Sequence, residues 1–190
     1  AARAYGRDVA LRRSDVTAVS EAGVDAGQLH ALQHACAEKG HRLWGATRTT
    51  RQSQKGTGTL IVARSTVAAA PGDGLIYAKP DGKACAVALT VVGRPVFYMA
   101  AHLPANDSDA DRVEFLTELA EDLADAIACH VQSVDEHGAP IGAPWAHAHF
   151  MWAGDLDLTR DPQDDETPHR SPGPEVLAAL DQLHAVMGDA

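Results

Sequence analysis

Hydrophobic and polar positions divide the chain into short apolar runs and longer segments with helical spacing. Apolar and β-branched runs bounded by turn-forming residues predict strands, and apolar residues three or four positions apart predict amphipathic helices. Strands are predicted at 15–20, 41–46, 58–63, 75–78, 84–92, 96–101 and within 148–159, and helices at 28–39, 108–131 and 175–187.

The order of these elements predicts the fold class. The segment VGRP at 92–95 predicts a tight hairpin turn, which makes the strands on either side antiparallel. Ser108 can cap the second helix. The apolar stripe of that helix is Val113, Leu116, Ala120, Leu123, Ile127 and Val131. Strand, helix, several strands, helix, strand, helix predicts a layered α/β fold with mixed, largely antiparallel sheets.

Bulk composition is that of a globular chain with one core. At 190 residues and 45% hydrophobic composition, the chain can bury one core, and no change of composition marks a second domain. No apolar run approaches the roughly 20 residues of a bilayer span, and the start lacks a signal-peptide apolar region. Cys36, Cys85 and Cys129 are far apart and odd in number, which fits a reducing compartment. We therefore expect a soluble, intracellular protein that does not contact a membrane.

Charge is distributed unevenly along the chain. The net charge of −10 disfavours a phosphate-rich partner. Residues 1–64 nevertheless hold 10 basic and 5 acidic side chains, whereas residues 65–190 hold 6 basic and 21 acidic ones. The basic side chains cluster at Arg42, Arg48, Arg51, Lys55 and Arg64. This cluster predicts either a loop that contacts a polyanion or a solvated surface loop.

Titratable side chains stand where predicted strands end. Glu21 follows the strand DVTAVS, His102 follows the strand that ends MAA, and Asp155 and Asp157 follow the apolar run FMWAG. That last run has no helical spacing and predicts a buried central strand. A strand fixes a side chain while the adjoining loop leaves room for a ligand, so these four residues are the candidates for chemistry.

Four segments resemble a known family. Glu21 after DVTAVS, then GTGTLIVA, MAAHLPAND and FMWAGDLDL, occur in the order and spacing of the endonuclease/exonuclease/phosphatase superfamily, which includes DNase I-like nucleases and apurinic endonucleases. The tail, GDLDLTRDPQDD followed by EVLAALDQLHAVMGDA, most resembles the endonuclease domain of non-LTR retrotransposons. The resemblance implies a DNase I-like two-sheet sandwich flanked by helices and metal-dependent hydrolysis of phosphodiesters. It also implies nucleic acid, DNA above all, as the partner, and a nuclear location if the chain belongs to a retroelement protein.

The resemblance implies a role for each candidate residue. Glu21 would bind a divalent cation, Mg²⁺ or alternatively Mn²⁺, because such hard ions take carboxylate oxygens as ligands. Asp155 would position or deprotonate the attacking water. His102 would donate a hydrogen bond or a proton near the scissile phosphate, where negative charge develops in the transition state.

The chain also departs from the family pattern. Asp157 stands where the family has asparagine, and an ionised Asp repels phosphate unless a second metal or a proton neutralises it. Ser20 stands where the family has glutamine. The family's first strand, with its asparagine, and its closing Ser-Asp-His segment have no counterpart. We therefore expect residues 1–190 to form one partial domain of a larger polypeptide, without the first strand and the C-terminal strands and with open sheet edges.

Two further interpretations concern the reaction itself. The string DLDLT at 155–159 also matches the nucleophile motif of haloacid dehalogenase-like phosphatases, in which Asp155 would attack phosphorus and Asp157 would act as acid and base. That motif normally opens a domain, whereas here it stands near the end of the sequence. A non-catalytic remnant would instead keep the sandwich as a binding or structural module.

Metal sites of other kinds have weaker signals. His147 and His149 form an HxH pair on one side of a strand, either a zinc pair or a surface pair, without a third ligand at a recognisable spacing. The acidic residues off the apolar stripe of the second helix predict a solvated face rather than a metal site. They are Glu114, Glu118, Glu121, Asp122 and Asp125.

Overall fold

The computed structural model describes residues 14–47, 58–103, 108–155 and 172–188. Its elements, in chain order, are β1 (Val16–Val19), α1 (Ala26–Ala37), β2 (His41–Ala46), β3 (Thr59–Arg64), β4 (Ala68–Ala69), β5 (Leu75–Ala78), β6 (Ala84–Val91), β7 (Arg94–His102), α2 (Asp109–Val131), a 3₁₀ helix (Ala143–His147), β8 (His149–Asp155) and α3 (Pro174–Gly188). All the predicted strands and helices occur. Two short elements in the described residues are additions to them, the two-residue strand β4 and the 3₁₀ helix, because such short segments have no readable period.

The smaller sheet has three antiparallel strands in the order β1-β3-β2. The central strand β3 is almost completely buried, and its Val62 pairs with Thr17 of β1 and Leu43 of β2. Helix α1 covers this sheet through Leu32 and Cys36. The pairing with β3 therefore fixes β1, the strand that leads to Glu21.

The larger sheet follows the order β4-β6-β7-β8, with β5 also paired to β6. β6 and β7 form the predicted antiparallel hairpin, and Val92 and Gly93 in its turn have φ angles of 50° and 75°. Positive φ at both central positions defines a type I′ turn, whose twist suits a two-residue hairpin. β7 and β8 run parallel, with His102 paired to Asp155 at their C-terminal ends.

Helix α2 connects the two parallel strands, which need a long crossover connection. It begins at the predicted cap, where the Ser108 hydroxyl accepts a hydrogen bond from the Asp111 N–H in a capping box. Its buried side chains are Arg112, Phe115, Leu116, Leu119, Ala120, Leu123 and Ile127. They include the middle of the predicted stripe, and the buried face is wider than the stripe because α3 as well as the sheet packs against this helix.

A second core fills the space between the two sheets. Trp44 and Ile61 from the smaller sheet pack with Val87, Tyr98 and Ala100 from the larger one. Alternate residues of β6 and β7 thus face this interior, and the others face α2. The predicted fold class, a two-sheet sandwich flanked by helices, is confirmed.

Strand β8 is less buried than its apolar sequence predicts. In the described part of the chain it pairs with β7 alone, and Met151 and Trp152 are 51% and 36% exposed. Phe150 is partly buried against the core beneath α2. The prediction of a buried central strand is therefore wrong for the described residues, because only one edge of β8 is paired.

The acidic face of α2 is not simply solvated. Glu118 accepts a hydrogen bond of 2.7 Å from the ammonium of Lys79, and Asp122 accepts one of 2.8 Å from the Tyr77 hydroxyl. Burial, and secondarily this bond to Asp122, raises the pKa of the Tyr77 hydroxyl. Two of the predicted surface carboxylates therefore attach the helix to the segment around β5.

Several named residues lie outside the described ranges. They are Arg48, Arg51, Lys55 and Asp157. Of the other two members of the basic cluster, Arg42 is exposed and the guanidinium of Arg64 lies 3.5 Å from the carboxylate of Asp15. No helix in the described part of the chain is long and apolar enough to cross a membrane.

Candidate active site

Glu21 stands just beyond the end of β1, in a backbone conformation that is unusual for its type. Its φ is 53°, in the left-handed region that residues with a side chain seldom adopt. The neighbouring Ala22 N–H donates a 2.8 Å hydrogen bond to the carbonyl of Gly58 and so anchors the turn. The Glu21 side chain is 59% exposed. The turn therefore presents a carboxylate to solvent from a fixed strand end.

His102 is the last residue of β7, and it is buried. Its side chain is only 7% exposed, and its backbone N–H donates a 2.8 Å hydrogen bond to the carbonyl of Lys83. Within the described residues, neither Nδ1 nor Nε2 has a hydrogen-bond partner, and both atoms are covered from solvent. A buried polar atom without a partner is costly, so the surroundings of this ring need a functional explanation.

The side chains of Glu21 and His102 meet across the two sheets. Glu21 Oε1 lies 3.2 Å from His102 Nε2. This is close enough for an ion pair with a protonated imidazole, but the angles are not those of a hydrogen bond. The contact joins strand ends that are far apart in sequence.

The backbone of Asp155 lies beside that of His102, its register partner at the C-terminal end of β8. One step earlier in the register, Gly154 pairs with Ala101. A Cβ on Gly154 would come within 1.8 Å of the Ala101 carbonyl oxygen, so only glycine permits this pairing. The predicted site residues Glu21, His102 and Asp155 thus come from three strands that end at one edge, whereas Asp157 lies outside the described residues.

Lys83 is a neighbour of the site that the sequence pattern does not identify. Its carbonyl binds the His102 N–H, and its ammonium lies 5.6 Å from the centre of the Phe115 ring. It also lies near the start of α2, where hydrogen bonds from Ser108, and to a lesser extent the charge of Lys83, lower the pKa of Asp111. Only the register of β6 and β7 reveals that this lysine adjoins His102.

One described side chain at this edge, that of Glu21, is of the type that a hard divalent cation takes as a ligand. Mg²⁺ commonly takes one or two protein carboxylates and completes its shell with water and substrate oxygens. Glu21 supplies an exposed carboxylate of this kind, beside an imidazole whose nitrogens lack hydrogen-bond partners among the described residues. The same ranges contain no group of three His, Cys, Asp or Glu side chains arranged as a metal site. His147 and His149, both exposed, therefore have no third zinc ligand there.

The sandwich defined by these elements has the DNase I-like fold. No protein-family profile matches the sequence, and no curated protein matches it. Solved structures do match it. An AP endonuclease from Archaeoglobus fulgidus aligns with 97% of this chain and 65% of its own at 14% identity, with a TM-score of 0.57.

Two other solved structures have the same fold. The AP endonuclease LMAP from Leishmania major aligns with 98% of this chain and 60% of its own at 12% identity, with a TM-score of 0.60. TDP2 from D. rerio, solved with a single strand DNA product, aligns with 94% of this chain and 57% of its own at 16% identity, with a TM-score of 0.51. The chain thus spans less than two thirds of each of these structures. The resemblance predicted from the four sequence segments is confirmed at the level of the fold.

Proposed function

We propose that this chain hydrolyses phosphodiesters with the help of a divalent cation, as an endonuclease-like domain. The observation that most supports this is the meeting of Glu21, His102 and the end of β8 at one edge of the sandwich. Polar groups held by several strand ends are typical of sites built on a rigid scaffold. The DNase I-like fold, which the AP endonucleases share, supports the same reaction class.

Glu21 would hold the cation, Mg²⁺ in first place and Mn²⁺ as a substitute. Its carboxylate is exposed, stands on the turn after β1 and belongs to the ligand type that both ions prefer. When bound, the cation would polarise the phosphate and offset charge on the leaving oxygen. Glu21 itself would orient the substrate by holding that positive charge at a fixed strand end.

Asp155 would position the attacking water and accept its proton. Pairing with His102 fixes the backbone of Asp155, so that a strand end rather than a mobile loop sets the location of this base. Asp157 would need a proton or a second metal ion to neutralise it, because an ionised carboxylate at that position would repel the phosphate. His102 would donate a hydrogen bond or a proton near the scissile phosphate, where negative charge develops in the transition state.

We propose nucleic acid, in first place DNA, as the substrate. Support comes from the AP endonucleases, from TDP2 solved with its single strand DNA product, and from the excess of basic residues in 1–64. Since nucleic acids are bound largely through their phosphates, these basic residues would favour such a substrate despite the negative charge of the whole chain.

We also propose that residues 1–190 act as one part of a larger domain. Among the described strands β8 is paired on one side only, and Met151 and Trp152 on it are 51% and 36% exposed. An exposed apolar strand edge readily accepts another strand. Further strands beside β8 would cover these side chains and stiffen the segment that holds Asp155.

The alternative functions have less support. A haloacid dehalogenase-like site would need its Asp155 strand to open a domain, but β8 is the last described strand of a sheet whose other strands precede it. A non-catalytic remnant would keep the same sandwich, and the presence of Asp157 in place of asparagine favours it. It differs from the proposed enzyme in one measurable respect, since it would not cleave a phosphodiester.

Nicking of supercoiled plasmid tests the proposal. The purified chain is incubated with Mg²⁺, with Mn²⁺ and with EDTA, and Glu21→Gln and Asp155→Asn are compared with the natural sequence. We expect metal-dependent nicking that falls by at least about 100-fold in both variants, equivalent to about 2.7 kcal/mol of transition-state stabilisation. Glu136→Gln is the matched control, because this exposed glutamate lies in the loop beyond the far end of α2.

The outcomes separate the candidate functions. Nicking that survives EDTA, or that Glu21→Gln leaves intact, would falsify the metal role of Glu21. A folded protein that binds DNA without nicking it, also when flanking sequence is added, would identify the non-catalytic module. Release of phosphate from a monoester through a covalent aspartyl-phosphate would establish the dehalogenase-like reaction instead.

A further inference from the structure

We infer that His30 and His34 on helix α1 form a binding site for a divalent transition-metal ion that prefers imidazole, Cu²⁺ above all, with Ni²⁺ and Zn²⁺ bound more weakly. The site is separate from the proposed active site, and it would exist whether or not the chain hydrolyses phosphodiesters. The spacing of the two histidines, the distance between their rings and their exposure support it.

The first observation is the spacing of the two histidines. They stand four positions apart within α1, a helix of 12 residues. Side chains at this spacing lie on the same face of a helix, with their Cβ atoms about 5 to 6 Å apart. Two histidines so placed can bind one metal ion together. Ala31 stands where a helical zinc protease motif has its glutamate, so the pair predicts binding of an ion rather than catalysis.

The second observation is the distance between the two rings. The imidazole centroids of His30 and His34 lie 4.8 Å apart. An ion at a metal–nitrogen distance of roughly 2.0 to 2.1 Å lies about 3.2 Å from the centroid of the ring that binds it. Two rings that share the ion at an angle of about 90° to 110° therefore have centroids about 4.5 to 5.2 Å apart. The observed separation falls within this range, so the rings need to turn but the helix does not need to move.

The third observation is that both side chains are exposed. His30 and His34 face solvent, whereas Leu32 and Cys36 on the other face of α1 are buried against the smaller sheet. An ion can therefore reach both rings from solvent, and the rings can turn toward it without disturbing the core. Held by side chains one turn apart, the ion would cross-link that turn of α1.

The ligand type selects the kind of ion. Imidazole suits Cu²⁺, Ni²⁺ and Zn²⁺, whereas Mg²⁺ takes oxygen ligands. Affinity for such a site rises from Mn²⁺ to Cu²⁺ and is lower again for Zn²⁺. Within the described ranges no third His, Cys, Asp or Glu side chain joins the pair, so water would complete the coordination shell. We therefore expect the site to bind Cu²⁺ and Ni²⁺ reversibly and not to bind Mg²⁺, the ion proposed for Glu21.

Titration of the whole chain with Ni²⁺ tests the site. Isothermal titration calorimetry in excess Mg²⁺ gives the Kd for the natural sequence, for His30→Asn and for His34→Asn. Because one helix carries both imidazoles, attachment of the second is intramolecular, and we expect each substitution to raise the Kd by about 100-fold. With less than one equivalent of Cu²⁺, electron paramagnetic resonance should show two coordinated nitrogens in the natural sequence, and either substitution should remove that pattern.

Two double variants serve as matched controls. His34→Ala combined with Ala37→His keeps two histidines on α1 but places them seven positions, or about 10 Å, apart along the helix axis, too far for one ion. Ala37 is exposed, so this variant should fold, and it should bind Ni²⁺ as weakly as His34→Asn does. His147→Asn combined with His149→Asn removes another exposed pair and should leave the Ni²⁺ Kd unchanged.

The possible outcomes decide the matter without any measurement of hydrolysis. If the natural sequence does not bind Ni²⁺, or if it binds no more tightly than the variant with the displaced histidine, the inference is overturned. Loss of binding only in the His147 and His149 double variant, or competition by Mg²⁺, overturns it as well, because the ion would then lie elsewhere. Circular dichroism identifies any variant that does not fold, and if His34→Asn is such a variant, unchanged affinity in His30→Asn overturns the inference. Absence of plasmid nicking would contradict the proposed function and leave the Ni²⁺ result as it stands.

Discussion

Asp155 is the register partner of His102 across the parallel strands β7 and β8, so one row of the larger sheet contains two of the proposed site residues. Glu21 approaches the same row from the other sheet, through its contact with His102. The proposed site therefore depends on how closely β8 approaches β7. Gly154, one position before Asp155, makes that approach possible.

Gly154→Ala should destabilise the protein and inactivate the proposed site. The added Cβ would overlap the Ala101 carbonyl oxygen at 1.8 Å, and backbone atoms cannot rotate away as a side chain can. We expect a loss of at least about 2 kcal/mol in the free energy of unfolding, measured by urea denaturation. Nicking by the fraction that remains folded should fall as well, since Asp155 would move.

Gly188→Ala is the control for that substitution. Gly188 is the last residue of α3, and a Cβ added there would meet no atom of the other described segments within 4 Å. Alanine there should leave stability unchanged or raise it by up to about 1 kcal/mol, because glycine is the less favourable residue in a helix. If the two substitutions change the free energy of unfolding equally, the close approach of position 154 to the Ala101 carbonyl does not determine stability.

Glu21→Gly should be more stable than Glu21→Ala, although both should lack metal-dependent nicking. Glu21 has a φ of 53°, which costs a residue with a Cβ about 1 kcal/mol and costs glycine almost nothing. Both variants lose the contact with His102. The difference between their free energies of unfolding therefore measures the cost of the backbone conformation at position 21 alone. Thermal unfolding followed by circular dichroism measures it, and a Glu21→Gly variant of lower stability would mean that the turn is unstrained.

Glu118→Ala should destabilise the protein more than Lys79→Met does. The ammonium of Lys79 is nearly buried and lies 2.7 Å from Glu118, whose own side chain is half exposed. Removal of the carboxylate leaves a buried charge, and we expect a loss of about 1 to 2 kcal/mol after allowance for solvent screening. Methionine removes that charge and keeps the apolar stem, so its effect should be smaller.

Glu121→Ala is the matched control on the same helix, because Glu121 is exposed. Its effect on the free energy of unfolding should stay within about 0.5 kcal/mol. If Glu118→Ala and Glu121→Ala have the same effect in urea denaturation, the ion pair with Lys79 does not contribute to stability.

The cysteine thiols should respond differently to pH and to a thiol reagent. Burial raises the pKa of the Cys85 thiol from 9.0 to about 12, whereas Cys129 is exposed. In the folded protein at pH 8, the thiol reagent DTNB should therefore react rapidly with Cys129 and slowly with Cys85. Rapid reaction of Cys85 without denaturant would show that the core around it opens readily.

The same shift makes the fold less stable in alkali. Because the folded pKa of Cys85 is raised, its unfolded thiol releases a proton first, and the stability present below pH 9 is lost as the pH rises toward 12. The slope is at most about 1.4 kcal/mol per pH unit for one group. Urea denaturation between pH 8 and 10 should show this decline, and Cys85→Ala should reduce it.

Local pattern is sufficient to predict the elements of this fold. β2 and β5 begin and end at the predicted residues, the β6-β7 turn falls within 92–95, and α2 begins at the predicted cap Ser108. Each of these features depends on neighbouring residues, through side-chain alternation, turn conformation or capping. The prediction that β8 is buried is wrong because an apolar run reveals that a strand is favourable but not how many partners it has.

The sequence by itself determined the strands and helices, the class of the fold and the polar residues at the strand ends, because these follow from local periodicity and from recognisable segments. The tertiary structure alone decided that Glu21 faces His102, that His102 is buried, that Lys83 lies beside it and that Glu118 pairs with Lys79. These relationships join residues on different strands and helices. They depend on strand register and on how the two sheets and the helices pack, and no single segment of the sequence specifies either.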